Sequence, residues 1–264
     1  MDELPGHQTH RIRHLFDGEH LALVIDAIIA VNSPATVWVD DAAAPCAAAI
    51  WDGGHCVYIV GPASRVAAFR AAVSQRIGPA GPGLVKIYAT DAAARLVFAG
   101  HDLDRLERVF YRFDRGGQAP MPVGRLRLPA GFGISSITEE FDRLASFGNF
   151  ADVTAEVESC WPSLAEFRRA GFGFCAHDAD SIVCWCTAEY VSDGRCGIGI
   201  ETIPAFRNRG LATLTATAFV EHCATRGITP HWDSWSSNAP SVAVAEKIGF
   251  RAVETYSIFV VNLP

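Results

Sequence analysis

The chain has 264 residues, half of them apolar and 19% charged, with a formal net charge of -7. That length allows one or two domains with a real core, and the acidic balance argues against nucleic acid as the main partner, because phosphate binding needs a basic footprint. Mild acidity suits a cationic small substrate, although acidity for solubility alone is the commoner case.

The first twenty residues lack the basic start, apolar stretch and small-residue cleavage site of a signal peptide, so a cytoplasmic location is expected. Leu21–Val31 is too short for a membrane span and carries Asp26, so it reads as a buried helix and no membrane partner is expected. Ala35–Asp40, Ala47–Trp51 and His55–Val60 read as strands, with Asp52-Gly53-Gly54 as a hairpin turn. Val66, Phe69, Val73 and Ile77 recur at helical spacing within Pro62–Gly78. A Pro/Gly cluster then precedes a strand at Leu84–Ala89, and a further helix is expected at about Leu103–Tyr111. This half carries no chemical motif and reads as a partner layer.

Residues 115–133 are rich in Pro and Gly, which marks a linker or crossover. We therefore expect an N-terminal α/β domain over 1–120, a linker over 121–134 and a second domain over 135–264. Ser136-Ile137-Thr138-Glu139 has capping-box spacing, and Ser163 opens a helix to Ala170 with Glu166 three residues on. Phe172–His177, Ser181–Tyr190 and Gly197–Ile203 form a predicted antiparallel meander, broken at turn-type clusters. A helix from about Leu211 to Thr225 stops at Gly227. Thr229–Ser234 is a strand that must pair parallel with an earlier one, because a helix separates them. A short helix at Ser241–Ile248 and a last strand at Tyr256–Val261 close the chain. The fold class is thus α/β (α+β), a mixed and mostly antiparallel sheet flanked by helices. The first half has hairpin strands followed by a helix, so it is readable as a degenerate copy of the second.

Eight cysteines, several inside apparent strands, are expected as reduced core residues. Cys184 and Cys186 in a C-x-C share one strand face. No zinc-type spacing accompanies them or the scatter of His7, His10, His14 and His20, so no metal is expected.

In an acidic chain, Arg207-Asn208-Arg209-Gly210-Leu211-Ala212 places basic residues between a strand and a helix. Free N–H groups of a first helical turn converge on one point and the helix dipole favours an anion there. Gly210 permits close approach and a positive φ, and Leu211 and Ala212 leave the amides uncovered. The plainer reading is an Arg-rich surface turn with a glycine for geometry.

That turn, followed by a helix, a strand, Asn238-Ala239-Pro240-Ser241 and Glu246-Lys247-Ile248-Gly249-Phe250, resembles the Gcn5-related N-acetyltransferase (GNAT) family over about Gly171–Val261. The whole chain is similar to that family's zwittermicin-resistance-type branch. The resemblance implies a GNAT-like fold and acetyl-CoA as donor, with its pyrophosphate on Arg207, Asn208, Arg209, Gly210, Leu211, Ala212 and Thr213. It also implies pantetheine along Ile200, Glu201, Thr202 and Ile203, contacts from Asn238 to the pantetheine or the amine, and Lys247 among the cofactor-binding residues. It implies a small-molecule primary amine as acceptor, an antibiotic or related metabolite among the candidates, acetylated by direct transfer in a monomer or homodimer.

Such chemistry needs a base for the ammonium and an acid for the leaving thiolate. Many relatives use a Tyr as acid two residues before the Lys of the closing motif; here that residue is Ala245. Ser241 is a candidate replacement, with an N-cap as its alternative role. Glu201 is the first candidate base, raised by burial or else merely solvent-facing, and Asp233 is the next. Glu189 and His177 are weaker candidates, and a water chain is another. Two other functions stay open: acetylation of a protein N-terminus or lysine, and an acyl-CoA-binding module without turnover.

Overall fold

The computed structural model describes residues 1–77, 83–113 and 127–263. The chain divides into two compact units, Met1–Arg108 with Tyr256–Pro264, and Val109–Thr255. The division falls inside strands and not at the expected linker 121–134, of which 121–126 lie outside the described residues. The last strand ends in the first unit because its final residues pair there.

The first unit runs β1 (Asp2–Leu4), a 3-10 segment (Gly6–Leu15), α1 (Glu19–Ile29), β2 (Thr36–Val39), β3 (Ala48–Trp51), β4 (Cys56–Val60), α2 (Ala63–Val66), α3 (Arg70–Ile77), β5 (Leu84–Tyr88), α4 (Asp91–Val97) and the start of β6 (Asp104–Phe113). β1 to β4 pair antiparallel in sequence, β4 pairs parallel with β5, and the chain end pairs antiparallel with β5. Asp52 closes the β3–β4 hairpin: its Oδ1 accepts from the backbone N–H groups of Gly54, His55 and Cys56, each at 2.9 Å. The helical spacing of Val66, Phe69, Val73 and Ile77 is real, and all four enter the core of this unit.

Leu103–Tyr111, expected as a helix, lies almost wholly in strand β6. Leu106 and Val109 mimic a helical stripe, but Leu106 is exposed while the adjacent Phe110 and Tyr111 are both buried. Burial of successive residues needs a strand covered on both faces.

Asp40 is a titrating anchor of this unit. Burial works to raise its carboxyl, but N–H groups of Cys46 and Ala47 and the Arg65 guanidinium outweigh burial and hold it at about 2. The folded value lies below the ordinary one, so the stabilisation is present above about pH 4 and is lost as pH falls toward 2. Asp40→Asn is expected to lower the urea midpoint at pH 7, and its deficit against wild type to shrink across that acid window.

The second unit contains β7 (Gly133–Ser136), α5 (Phe141–Leu144), α6 (Phe150–Cys160), α7 (Leu164–Ala170), β8 (Gly173–His177), β9 (Ile182–Ser192), β10 (Arg195–Thr202), α8 (Leu211–Arg226), β11 (Thr229–Trp235), α9 (Ala239–Lys247) and the first part of β12 (Phe250–Asn262). Its strand order is β6-β11-β10-β9-β8-β7. β7 through β10 are antiparallel neighbours, and β10 pairs parallel with β11 as the intervening helix requires. One expected cap holds, with the N–H of Glu166 donating to Ser163 Oγ at 3.2 Å; Ser136 instead ends β7 and accepts from Glu139 N–H in a turn, since α5 starts only at Phe141 and has no side-chain cap. Gly227 ends α8 at φ 70°.

Each unit contains strand, helix, parallel strand, helix in the same order, β4-α2-α3-β5-α4 in the first and β10-α8-β11-α9 in the second. The architecture is a mixed α/β fold, mostly antiparallel, with the same strand–helix order in both units.

Candidate active site

Strand alternation gives β9 and β10 two different faces. Cys184, Cys186, Cys196, Ile198 and Ile200 pack toward α8, among Leu211, Phe219 and Cys223. Burial pushes the thiols of Cys184, Cys186 and Cys196 up, so they stay protonated and inert. The opposite face carries Trp185, Thr187 and Glu189 of β9 against Glu201, Gly199 and Gly197 of β10. Trp185 packs there with Val153, Val157 and Trp161.

β10 and β11 part company early. Their ladder covers Arg195–Gly197 against Thr229–His231 and then ends, although β10 continues to Thr202. On its other edge β10 stays paired with β9 as far as Thr202, and Ile203 N–H still donates to Val183 O at 3.0 Å. The stretch Ile198–Thr202 is therefore without β11 beside it.

Beyond Thr202 the chain makes a short 3-10 turn at Pro204–Phe206 and enters α8 through two left-handed residues, Asn208 at φ 61° and Gly210 at φ 78°. No side chain caps α8 and its first turn holds no acid. A Cβ on Gly210 would meet nothing within 4 Å, so space lies open in front of the helix start. Leu211 is buried and anchors the first turn beneath β9 and β10, while Ala212 is half-buried and Thr213 buried. Arg209 lies over the Phe206 ring at 5.1 Å and donates to Ala205 O at 3.2 Å. Arg207 donates to Thr202 O at 3.1 Å and to Glu201 Oε1 at 3.3 Å. An uncapped helix start with two exposed guanidiniums fits a pyrophosphate.

Of the two readings of Glu201, the geometry agrees with the solvent-facing one: its side chain is 51% exposed and paired with Arg207. It lies one residue before the end of β10. Thr202 donates its hydroxyl to Cys184 Sγ at 3.2 Å, leaving its backbone to the sheet. Asp233 and Ser241 are half-buried. The short helix starts at Ala239, two residues earlier than expected, because Asn238 is the cap and accepts from Ser241 N–H at 3.3 Å. Ser241 Oγ instead accepts from the Trp232 indole at 3.1 Å. Asn238→Ala is expected to destabilise the unit by about 1 kcal/mol, read from urea unfolding. Lys247 is exposed at the far end of α9 from Asn238.

His177 belongs to another network: its Nε2 is 3.1 Å from Ser135 Oγ, which also accepts from Arg143 at 2.7 Å. Ala245 is fully buried in the core around α9. Ala245→Tyr would overfill that core and is expected to cost about 1–3 kcal/mol in an unfolding titration, with no gain of an acid. Sequence reading missed Tyr111, a buried phenol in the same core cluster, because its strand mimics a helix. Burial, with the Glu246 carboxylate adding to it, pushes that phenol up and keeps it protonated. Glu156 of α6 was also missed, since only the fold brings it to β10.

Among the described residues no helix is long and apolar enough to cross a membrane. The GNAT acetyltransferase family model matches residues 13–259. An uncharacterized N-acetyltransferase of Bacillus subtilis (strain 168), YdfB, is 30% identical over 158 residues, which are 60% of this chain and 58% of that protein, so the match spans less than two thirds of the relative. A GCN5-related N-acetyltransferase-like protein from Streptococcus suis 89/1591 superposes with a TM-score of 0.71 at 18% identity, covering 97% of this chain and 98% of that one. A tandem GNAT protein from the clavulanic acid biosynthesis pathway superposes with a TM-score of 0.62 at 13% identity, covering 99% and 98%. With the family model matched over nearly its whole length and the strand-turn-helix geometry in place, the chain belongs to the GNAT acetyltransferase family.

Proposed function

We propose that the protein is an acetyl-CoA-dependent N-acetyltransferase that acylates a primary amine of a small molecule by direct transfer. The observation that carries this reading is the open edge of β10 beyond Gly197, leading straight to the uncapped start of α8. Backbone amides of Gly210–Thr213, with Arg207 and Arg209, hold the pyrophosphate. The free edge of Ile198–Thr202 pairs with the amides of the pantetheine arm and orients the thioester. The inert, buried thiols of β9 and β10 favour direct attack by the amine over an acyl-cysteine route.

The fold likeness to a tandem GNAT protein supports reading the first unit as a second, degenerate GNAT-like half. Its strand-to-helix turn, Val60-Gly61-Pro62-Ala63, lacks the R-x-x-G-x-A pattern, so we assign one acetyl-CoA site per chain. We also assign the chain to the zwittermicin-resistance-type branch, on the resemblance of its whole length.

The test is amine-dependent release of CoA thiol from acetyl-CoA across a panel of small primary amines, with a lysine peptide beside them. Turnover of a small amine above the peptide supports the reading. Turnover of the peptide alone, or tight CoA binding without turnover of anything, contradicts it.

A further inference from the structure

The β3–β4 hairpin of the first unit brings three side chains of metal-ligating type together. Asp52, His55 and Cys56 each offer one ligand atom, and the three atoms lie within 4.8 Å of one another, the one such convergence among the described residues. The turn that closes the hairpin therefore also assembles the set. Zinc-type spacing pairs ligands across a longer loop, so a set supplied by one turn escapes that sequence rule.

An independent observation points to a ligand. Asp52 is only 2% exposed, and its two carboxylate oxygens differ in what they meet. Oδ1 accepts from the N–H groups of Gly54, His55 and Cys56. Oδ2 is buried and has no hydrogen-bond partner among the described residues. The Cys56 thiol interacts with this carboxylate, but a thiol is a weak donor. A buried carboxylate oxygen left in that state is costly, and a bound cation relieves it.

We propose that Asp52 Oδ2, the imidazole of His55 and Sγ of Cys56 bind a divalent d-block cation of the zinc type, with water in the fourth position. Imidazole and thiolate suit such an ion, whereas magnesium and calcium take oxygen ligands. A tetrahedral ion bonded at about 2.0–2.3 Å holds its ligands about 3.3–3.8 Å apart, so the set closes by no more than about 1.5 Å. His55, the least buried of the three, is the ligand that moves. Lys86 stands opposite Cys56 in the parallel ladder, and with Arg108 it brings positive charge toward His55. That charge is met as the ion binds: the Sγ–H bond breaks, its proton leaves to solvent and Sγ bonds the ion. Asp52 and Cys56 then carry two negative charges, which cancel those of a divalent ion. The ion ties the end of β3 to the start of β4, and the proposal stands apart from the transferase reading.

The experiment uses the full chain without a histidine tag, stripped with a chelator and titrated with cobalt chloride, with zinc chloride as competitor. Wild type, His55→Gln and Cys56→Ala are compared, with Cys46→Ser as a control for the exposed thiol. We expect saturation at about one cobalt per chain, a thiolate-to-cobalt absorption band, release of about one proton per ion and displacement by zinc. The band is lost in Cys56→Ala and kept in Cys46→Ser. His55→Gln weakens binding more than about a hundredfold, beyond the cost of losing a residue that only supports a ligand. Zinc raises the urea midpoint of wild type and of Cys46→Ser but not of Cys56→Ala. His55 is half-buried and precedes β4, so its variant keeps the test decisive if Cys56→Ala does not fold. No saturable cobalt binding, a band that survives Cys56→Ala or disappears in Cys46→Ser, or unchanged affinity in His55→Gln overturns the proposal.

Discussion

An Arg209→Glu, Gly210→Glu double variant is expected to bind acetyl-CoA at least about a hundredfold more weakly than wild type in equilibrium dialysis, since one reversed and one added charge against a phosphate each remove more than about 1 kcal/mol. Arg209 is held over Phe206 and against Ala205 O, so its charge stands at the entrance of α8. Gly210 stands at φ 78° and nothing lies within 4 Å of where its Cβ would be. A glutamate there meets no steric obstacle and puts a carboxylate where the proposed function places the phosphate. The left-handed conformation adds a strain of about 1–2 kcal/mol, which a unit of this size tolerates. Binding should therefore fall far more than stability does. Equal losses in both would mean that the turn is only structural.

Phe219→Ala is expected to lower the unfolding free energy by about 3–5 kcal/mol, the cost of emptying a closed aromatic site. Phe219 is 0% exposed in the middle of α8, and its ring lies 4.7 Å from that of Phe172. α8 has little helix propensity of its own: Thr213, Thr215 and Thr217 are buried, and Thr215 and Thr217 turn their hydroxyls back to the carbonyls of Leu211 and Thr213. Packing against β8, β9 and β10 therefore carries the helix. Because that packing also aims the helix start, acetyl-CoA affinity should fall with stability. A urea-unfolding loss below about 1 kcal/mol would contradict the assigned core.

Much of the fold was legible where local chemistry and tertiary role agree. β8 and β9 end in turns bearing Asp178 and Asp180 or Asp193 and Gly194, and Gly227 at φ 70° stops α8 where expected. β6 was misread because Leu106 and Val109 fall at helical spacing by coincidence, while burial of Phe110 and Tyr111 depends on what covers the strand. α4, running Asp91–Val97 through three alanines, offers no stripe to read, yet Ala93, Ala94 and Val97 are all buried. The strand-to-helix turn was legible because its requirements are local: a glycine for positive φ, small or anchoring residues after it, and arginines before it. The surroundings of the candidate base were not: Glu201 is exposed and paired with Arg207. The carboxylates of Glu156 and Glu189 near Gly199 come from α6 and β9, and only the three-dimensional fold joins residues 156, 189 and 199.

The central claim is that the amides at the start of α8 hold the donor. Its most direct test is a titration of the uniformly labelled chain with acetyl-CoA, followed by backbone amide shifts. Saturating shifts of Gly210, Leu211, Ala212 and Thr213 at one equivalent per chain, with Ile198–Thr202 moving in step, are the predicted result. Shifts confined to the turn at Val60–Ala63, or no saturable shifts at all, would contradict it.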